Sequence, residues 1–475
     1  MHPTKQMPNT LADWLIYLES LHPKTIALGL ERVAQVKQRL NLQPNFPVIV
    51  VGGTNGKGSV CAMLESILHA AGYRVGCYTS PHLLHYNERV RIAKKQVSDV
   101  ELCKSFEKIE QVRGAAFSGT SEVPLTYFEF GTLAAMQCFI EHKVDVAILE
   151  VGLGGRLDAV NVFDNDCAVI ASVDIDHTDY LGDTREQIAF EKAGIFRSGK
   201  VAICADSDVP QAIRAQAQKV GAELWCIGAE FGFQLPSPAG GGGVGGDGGG
   251  NVARTISVAK PLSLALSRSR EREQMHEQWN FRSKLGSRNA LPYPALRGAF
   301  QLHNASAALA ALDVLKERLP VSMEAVRRGL GEVQLAGRFQ FVPGKPTLIL
   351  DVAHNPHAAR SLAQNLAGLP PCPNTYAVFA MLKDKDMAGV VAALDPHIDT
   401  WLAAGIDTPR GATPEKLEQV LQQCRVRGEI KICKNISAAL RYAYNAAGEN
   451  DRIIVFGSFY TVAEVMAARG LSITQ

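Results

Sequence analysis

The sequence predicts an α/β protein of two domains: a larger N-terminal one on a mostly parallel sheet, and a smaller Rossmann-like α/β one after it. Three observations carry this. Short β-branched runs alternate with helical patterns along most of the 475 residues, as in a parallel sheet covered by helices. The first series is interrupted by a glycine-rich stretch, and a second series begins near residue 345. A glycine turn, GGTNGKGS (52–59), links the first strand to the first long helix of the sheet, which makes the larger domain P-loop ATPase-like.

PVIVVGG (47–53) is a β-branched run ending in glycines, and an amphipathic stretch over Ser59–Ala71 follows it. RVGCYTS (74–80), VDVAILEVG (144–152), CAVIASVDI (167–175) and KVAICA (200–205) supply further buried strands. The run PSPAGGGGVGGDGGG (236–250) cannot pack a core, and polar, basic segments follow. Residues 235–290 therefore read as an insertion, flexible at its start. In the second series TLILDVAH, YAVFAML, DTWLAAG, EIKICK and DRIIVFGS are strand-like, and PHAARSLAQNLAGL, TPEKLEQVLQQC and NISAALRYAYNAAG are helical. The junction falls near LAGRF (335–339), giving domains 1–335 and 336–475.

Composition narrows the function class. A net charge of +2 implies no field for nucleic acid or a membrane surface. Ten cysteines without a C-x-x-C pair argue against structural zinc and a disulfide framework. No apolar run reaches 18 residues and no basic-then-apolar leader opens the chain, so a cytoplasmic protein is expected.

A glycine turn between strand and helix aims backbone N–H groups at an anion, and the helix N-terminus adds its dipole. Lys57 would supply a point charge for β- and γ-phosphates. The spacing is shorter than G-x-x-x-x-G-K-[ST], and Gly58 stands where the usual hydroxyl would be. A purely structural glycine turn is the alternative.

GTNGKGS is followed in order by YTSPHLLHYNERVRI (78–92), EVGLGGRLDAVN (150–161), DHTDYLG (176–182), EKAGIFR (191–197), HNASAALAAL (303–312), LAGRF, DVAHNPHAA (351–359), MLKDKD (381–386) and GSFYTVAEV (457–465). This series resembles the folylpolyglutamate synthase and dihydrofolate synthase family, part of the wider Mur-ligase group of ATP-dependent amide-forming enzymes. LHPKTIALGLERV (21–33) is similar to the bifunctional bacterial type.

The resemblance implies ATP-dependent ligation of L-glutamate to 7,8-dihydropteroate, forming dihydrofolate, and to reduced folates, forming polyglutamates, through an acyl phosphate. It implies one or two Mg²⁺, ATP as co-substrate, and a monomer. It maps ATP contacts onto Thr54, Asn55, Gly56, Lys57, Asn304, Arg338 and Asp351, and Mg²⁺ ligands onto Ser80, Glu150 and His177. It maps dihydropteroate contacts onto Ser20, Leu21, His22 and Pro23, onto Thr126, Tyr127, Phe128 and Glu129, and onto Leu157, Asp158 and Ala159. Lys57, Lys192 and His354 are the implied catalytic groups, with Lys192 carbamylated (N6-carboxylysine). Imidazole is an unusual partner for Mg²⁺, which prefers oxygen.

Each position also has a plainer reading. Ser80 could cap a helix, Glu150 end a strand at the surface, and His177 sit in a turn. Lys192 could be solvated or salt-bridged, Arg338 could form a hinge salt bridge, and Tyr127 and Phe128 could be ordinary core. Three rival functions remain beside the bifunctional ligase: a synthase lacking the dihydropteroate step, a cell-wall Mur ligase, and an ATP-binding switch without ligase chemistry.

Overall fold

The computed structural model describes residues 7–24, 26–114, 122–235 and 278–472. Its strands are Val48–Gly52 (β1), Val75–Tyr78 (β2), Val90–Ile92 (β3), Lys95–Gln96 (β4), Val146–Glu150 (β5), Cys167–Ile170 (β6), Val201–Cys204 (β7), Glu223–Cys226 (β8), Phe231–Gln234 (β9), Gln278–Ser283 (β10), Gly286–Pro292 (β11), Gln340–Val342 (β12), Thr347–Leu350 (β13), Thr375–Phe379 (β14), Thr400–Ala404 (β15), Glu429–Cys433 (β16) and Arg452–Phe456 (β17).

The first sheet has the order β4-β3-β2-β5-β1-β6-β7-β8. The pairs from β2 to β8 are parallel, and β3 and β4 add an antiparallel edge. β1 is buried along its whole length, as a continuous Val/Ile run requires in a sheet covered on both faces. Its neighbours β5 and β6 come later in the chain and lie on opposite sides, so the loop after β1 opens at a switch point where such sheets bind ligands. The second large sheet has the order β12-β13-β17-β14-β15-β16, parallel except for β12. Residues 11–333 supply two apolar cores, one against each face of the first sheet. Residues 336–466 supply two more, around the second.

One expectation is corrected. The glycine run 236–250, read as flexible, lies outside the described residues, but the segment read as an insertion does not continue to 290. β9, β10 and β11 form a three-stranded antiparallel sheet. Trp279, Phe281 and Leu291 are fully buried and join Phe231 in the core against the helix Gln301–Val314. The Trp279 indole donates to the Pro292 carbonyl at 2.8 Å. The residues around 278–292 are mostly polar, with apolar side chains on one face only, so the strands read as loop. Trp279→Ala is expected to destabilise the protein by about 3–5 kcal/mol, the usual loss for a buried aromatic. Urea unfolding would measure it, and a change under about 1 kcal/mol would mean this sheet is not part of the core.

Candidate active site

The glycine turn folds as its residue types require. Gly56 lies at φ +88° and precedes the helix Lys57–Ala70. A Cβ there would lie 2.6 Å from Asn304 Oδ1, so only glycine lets the loop approach the helix that carries Asn304. Thr54 and Asn55 are pinned to the segment after β6: Thr54 N donates to the Ser172 carbonyl at 2.7 Å, Thr54 Oγ1 to the Asp174 carbonyl at 2.9 Å, and Asn55 N to Ser172 Oγ at 3.0 Å. Lys57 Nζ donates to the Gly53 and Thr54 carbonyls at 2.9 and 3.2 Å, so the ammonium sits inside the loop curve. Desolvation lowers its pKa, while Glu150 and Asp176 pull the other way.

Two adjoining cavities meet at this loop. The larger, about 470 Å³, is lined by Gly53–Gly58, Ser80, Glu150, His177 and Lys192 from the first body, and by Arg338, His354, Lys385 and Ser458 from the second. The smaller, about 140 Å³, is lined by Asn55, Gly56, Asn304, Arg338 and Asp351, with Phe300, His303 and His357 forming aromatic walls. Asn55, Gly56 and Arg338 face both cavities. A nucleotide with its phosphates at the loop and its base in the smaller cavity fits this arrangement. Asp351 accepts from the Phe339 and Ala353 amides at 2.9 and 2.8 Å, and burial raises its pKa against the pull of Arg338.

Glu150 ends β5 and is buried. Its Oε2 accepts from the Ser80 amide at 3.0 Å. Among the described residues it forms no ion pair, and burial raises its pKa despite Lys57. The plainer reading as a surface strand end is therefore wrong. Nor does Ser80 cap a helix: the next helical turn is the 3₁₀ segment Tyr86–Arg89, preceded by His85. His177 adopts φ +53° before the short helix Thr178–Leu181. Burial lowers its pKa to about 4, so the ring is neutral and able to act as a ligand.

A buried carboxylate with unused lone pairs, a neutral imidazole and a serine on one cleft fit a divalent cation. No group of three or more His, Cys, Asp or Glu side chains arranged for a metal occurs among the described residues; with Glu150 its single carboxylate, the set is short of oxygen donors. Lys192 lines the same cleft, in the last turn of the helix Arg185–Ala193. It is 4% exposed and forms no ion pair among the described residues, which removes its solvated and salt-bridged readings. Burial, then the charge of Lys57, lowers its pKa to about 7. As the neutral amine it can accept carbon dioxide, and the resulting carbamate would supply the missing oxygen donors.

A polar cluster joins the two bodies across the cleft. Lys385 Nζ donates to Asp176 Oδ1 at 2.6 Å, with both side chains at or below 10% exposure. Although burial pulls the Asp176 pKa up, Lys385, His177 and His354 hold it well below the usual carboxylate range. Asn355 donates to Asp176 Oδ2 at 3.0 Å and exchanges amide hydrogen bonds with Asn55 at 3.2 Å. Its own carbonyl oxygen caps the helix Pro356–Ala367. The His354 pKa falls to about 4 through burial and then Lys385. None of the Asp176, Asn355 and Lys385 contacts was readable in advance, since each partner is more than 170 positions away in sequence.

The end of the cleft lined by the second set of expected residues differs in part from expectation. Thr126, Phe128, Glu129, Leu157, Asp158 and Ala159 line it. Phe128 packs so close to Gly152 that a Cβ there would lie 2.7 Å from its ring. Asp158 accepts from the Leu153 and Val160 amides at 2.8 and 3.1 Å, and burial raises its pKa to about 7. Ser20, Leu21, His22 and Pro23 are not on the lining; residues 26–29 of the same segment are. Ser20 is exposed and donates to the Tyr17 carbonyl, while His22 Nδ1 contacts Lys24. Helix Leu11–Ser20 ends at the first residue of the motif, and Leu21 packs against the apolar core. Tyr127 is also off the lining, packed edge-on to Tyr86 at 5.8 Å. His82 and Arg89 line the cleft without having been singled out in the sequence.

Comparison with known proteins identifies the family. Residues 51–234 match the Mur ligase middle domain and residues 337–459 the Mur ligase, glutamate ligase domain. The dihydrofolate synthase/folylpolyglutamate synthase of Escherichia coli K12 is 42% identical over 98% of this chain and 96% of its own length. Escherichia coli FolC, solved with DHPP and ADP, superposes with a TM-score of 0.83 at 42% identity, over 98% of this chain and 99% of that one. A bifunctional folylpolyglutamate synthase/dihydrofolate synthase solved with Mn, AMPPNP and L-glutamate gives a TM-score of 0.82 at 43% identity, over 98% and 100%.

Proposed function

The chain belongs to the Mur ligase family, and from that premise we propose that its cleft uses ATP to join the amine of L-glutamate to the carboxylate of a pterin acceptor. The enzyme adds L-glutamate to 7,8-dihydropteroate, forming dihydrofolate, and to reduced folates, forming polyglutamates. One observation carries the reading: Lys57, Glu150, His177 and Lys192 share a single cleft with Arg338 and His354 of the second body. That gathering argues against an ATP-binding switch, which needs no second body of this kind at its phosphate loop.

A carboxylate is a poor electrophile at neutral pH. Transfer of the γ-phosphoryl group makes an acyl phosphate; the glutamate amine then attacks the carbonyl carbon, phosphate departs and the ammonium proton is lost. Positioning and charge neutralisation dominate the first step. Lys57 and Arg338 would hold the phosphates, with Thr54, Asn55 and Gly56 shaping the loop and Asn304 and Asp351 holding the nucleoside. Ser80, Glu150 and His177, with Lys192 as a carbamate, would hold a divalent cation. That cation supplies the positive charge that lets two anions meet. His354 would face the incoming amine. Thr126, Phe128, Glu129, Leu157, Asp158 and Ala159 would hold the pterin acceptor. We assign ATP and acceptor binding to residues 1–335 and glutamate delivery to residues 336–475, the two closing on each other to shield the acyl phosphate from water. A monomer in the cytoplasm suits the free cysteines among the described residues.

Oxygen tracing tests the chemistry. With ¹⁸O in the acceptor carboxylate, one label is expected in the released inorganic phosphate for each glutamate added. Label found only in the amide product, with none in phosphate, would rule out an acyl phosphate.

A further inference from the structure

Arg89 is a cation placed in the cleft with no ion-pair partner among the described residues. It follows the turn after Ser80, and its backbone carbonyl accepts from the Thr79 amide at 2.9 Å, so its Cα lies across from the residue preceding Ser80. The guanidinium lies over the Tyr86 and Tyr127 rings, 5.4 and 5.5 Å from their centroids. Its Nε donates to His82 Nδ1 at 2.8 Å. That hydrogen bond, with the imidazole nitrogen as acceptor, orients the guanidinium fork.

Glu88, Glu129 and Glu150 are engaged elsewhere. Glu88 accepts from the Leu83, Leu84 and His85 amides. Glu129 pairs with Arg32 at 2.9 Å, and Glu150 faces the Ser80 amide. Among the described residues Arg89 forms no ion pair. A planar fork held in place by two rings and a histidine, facing a cavity, is built to take a carboxylate.

The acceptors differ in this respect. Dihydropteroate has one carboxylate, which reacts. A folate ending in glutamate brings a second, the α-carboxylate, a few bonds from the reacting γ-carboxylate. We propose that Arg89 binds this α-carboxylate and so determines how well the enzyme extends folates relative to dihydropteroate. The proposal rests on the two-acceptor reading above.

The test uses the full-length enzyme with dihydropteroate, tetrahydropteroylglutamate, and the α-carboxamide of the latter. The unaltered enzyme should favour the α-carboxylate over the α-carboxamide by about 10- to 100-fold in kcat/KM, the range for one charge-assisted contact. Arg89→Met keeps a stem for the two rings but no charge. It should erase that preference and raise KM for tetrahydropteroylglutamate at least tenfold more than KM for dihydropteroate. Arg89→Lys should restore part of the preference. Equal losses on both acceptors, or an Arg89→Met enzyme that still favours the α-carboxylate, would overturn the assignment. If Arg89→Met does not fold, an unaltered enzyme indifferent to the α-carboxamide would overturn it alone. Failure of the unaltered enzyme on either acceptor would instead count against the two-acceptor reading.

Discussion

Lys57→Ala is expected to lower kcat for glutamate transfer by about 10²- to 10³-fold at saturating ATP, the usual loss when a preorganised charge is removed from a transition state. The lysine is held on the Gly53 and Thr54 carbonyls, so its charge is in position before the nucleotide arrives. Stability should not fall with activity. Desolvation lowers the Lys57 pKa, which means the protein carries a cost for keeping this ammonium charged, and alanine removes that cost. Turnover with either acceptor, with urea unfolding as a control, checks both halves. A folded variant with near-normal turnover would remove Lys57 from the chemistry.

Lys192 gives the second large effect. Lys192→Arg is expected to be inactive, with kcat reduced about 10²-fold or more, because a permanent cation would replace the proposed carbamate anion. Lys192→Ala is expected to be similarly weak but partly rescued by acetate or formate, which restores carboxylate oxygens in the space left. The group titrates in the right range. Its pKa of about 7 lies below the ordinary lysine value, so the reactive neutral amine dominates above pH 7 and is lost below it. At fixed dissolved carbon dioxide, activity should therefore fall as pH drops through about 7. Carbon-13 NMR with labelled bicarbonate would observe the carbamate directly. A plain structural ammonium predicts the reverse order, with arginine tolerated and acetate without effect.

The parts of this enzyme legible in its sequence are those governed by local rules. PVIVVGG, VDVAILEVG, TLILDVAH and DRIIVFGS declare themselves by β-branched or apolar runs, because parallel strands inside a sheet are buried on both faces. The phosphate loop is legible because backbone N–H groups can approach an anion only where glycine permits. β10 and β11 were not legible: their apolar residues occupy one face, and a glycine-rich run precedes them. Asp176 could not be connected to Lys385, nor Asn55 to Asn355, since sequence spacing says nothing about which side chains two domains press together. Of the segment expected at the acceptor, residues 20–23 do not line the cleft, whereas residues 26–29 do. A motif marks a neighbourhood, and the local chain path decides which of its side chains reach the cleft.

A cleft that serves two pterin acceptors must add glutamate to each of them at the expense of ATP. This is tested most directly by incorporation of radioactive L-glutamate in the presence of ATP and a divalent cation, with dihydropteroate, tetrahydrofolate or a cell-wall nucleotide precursor as sole acceptor. ATP-dependent label is expected in product with both pterins and none with the nucleotide precursor. Label with tetrahydrofolate alone, or with the precursor alone, would contradict it.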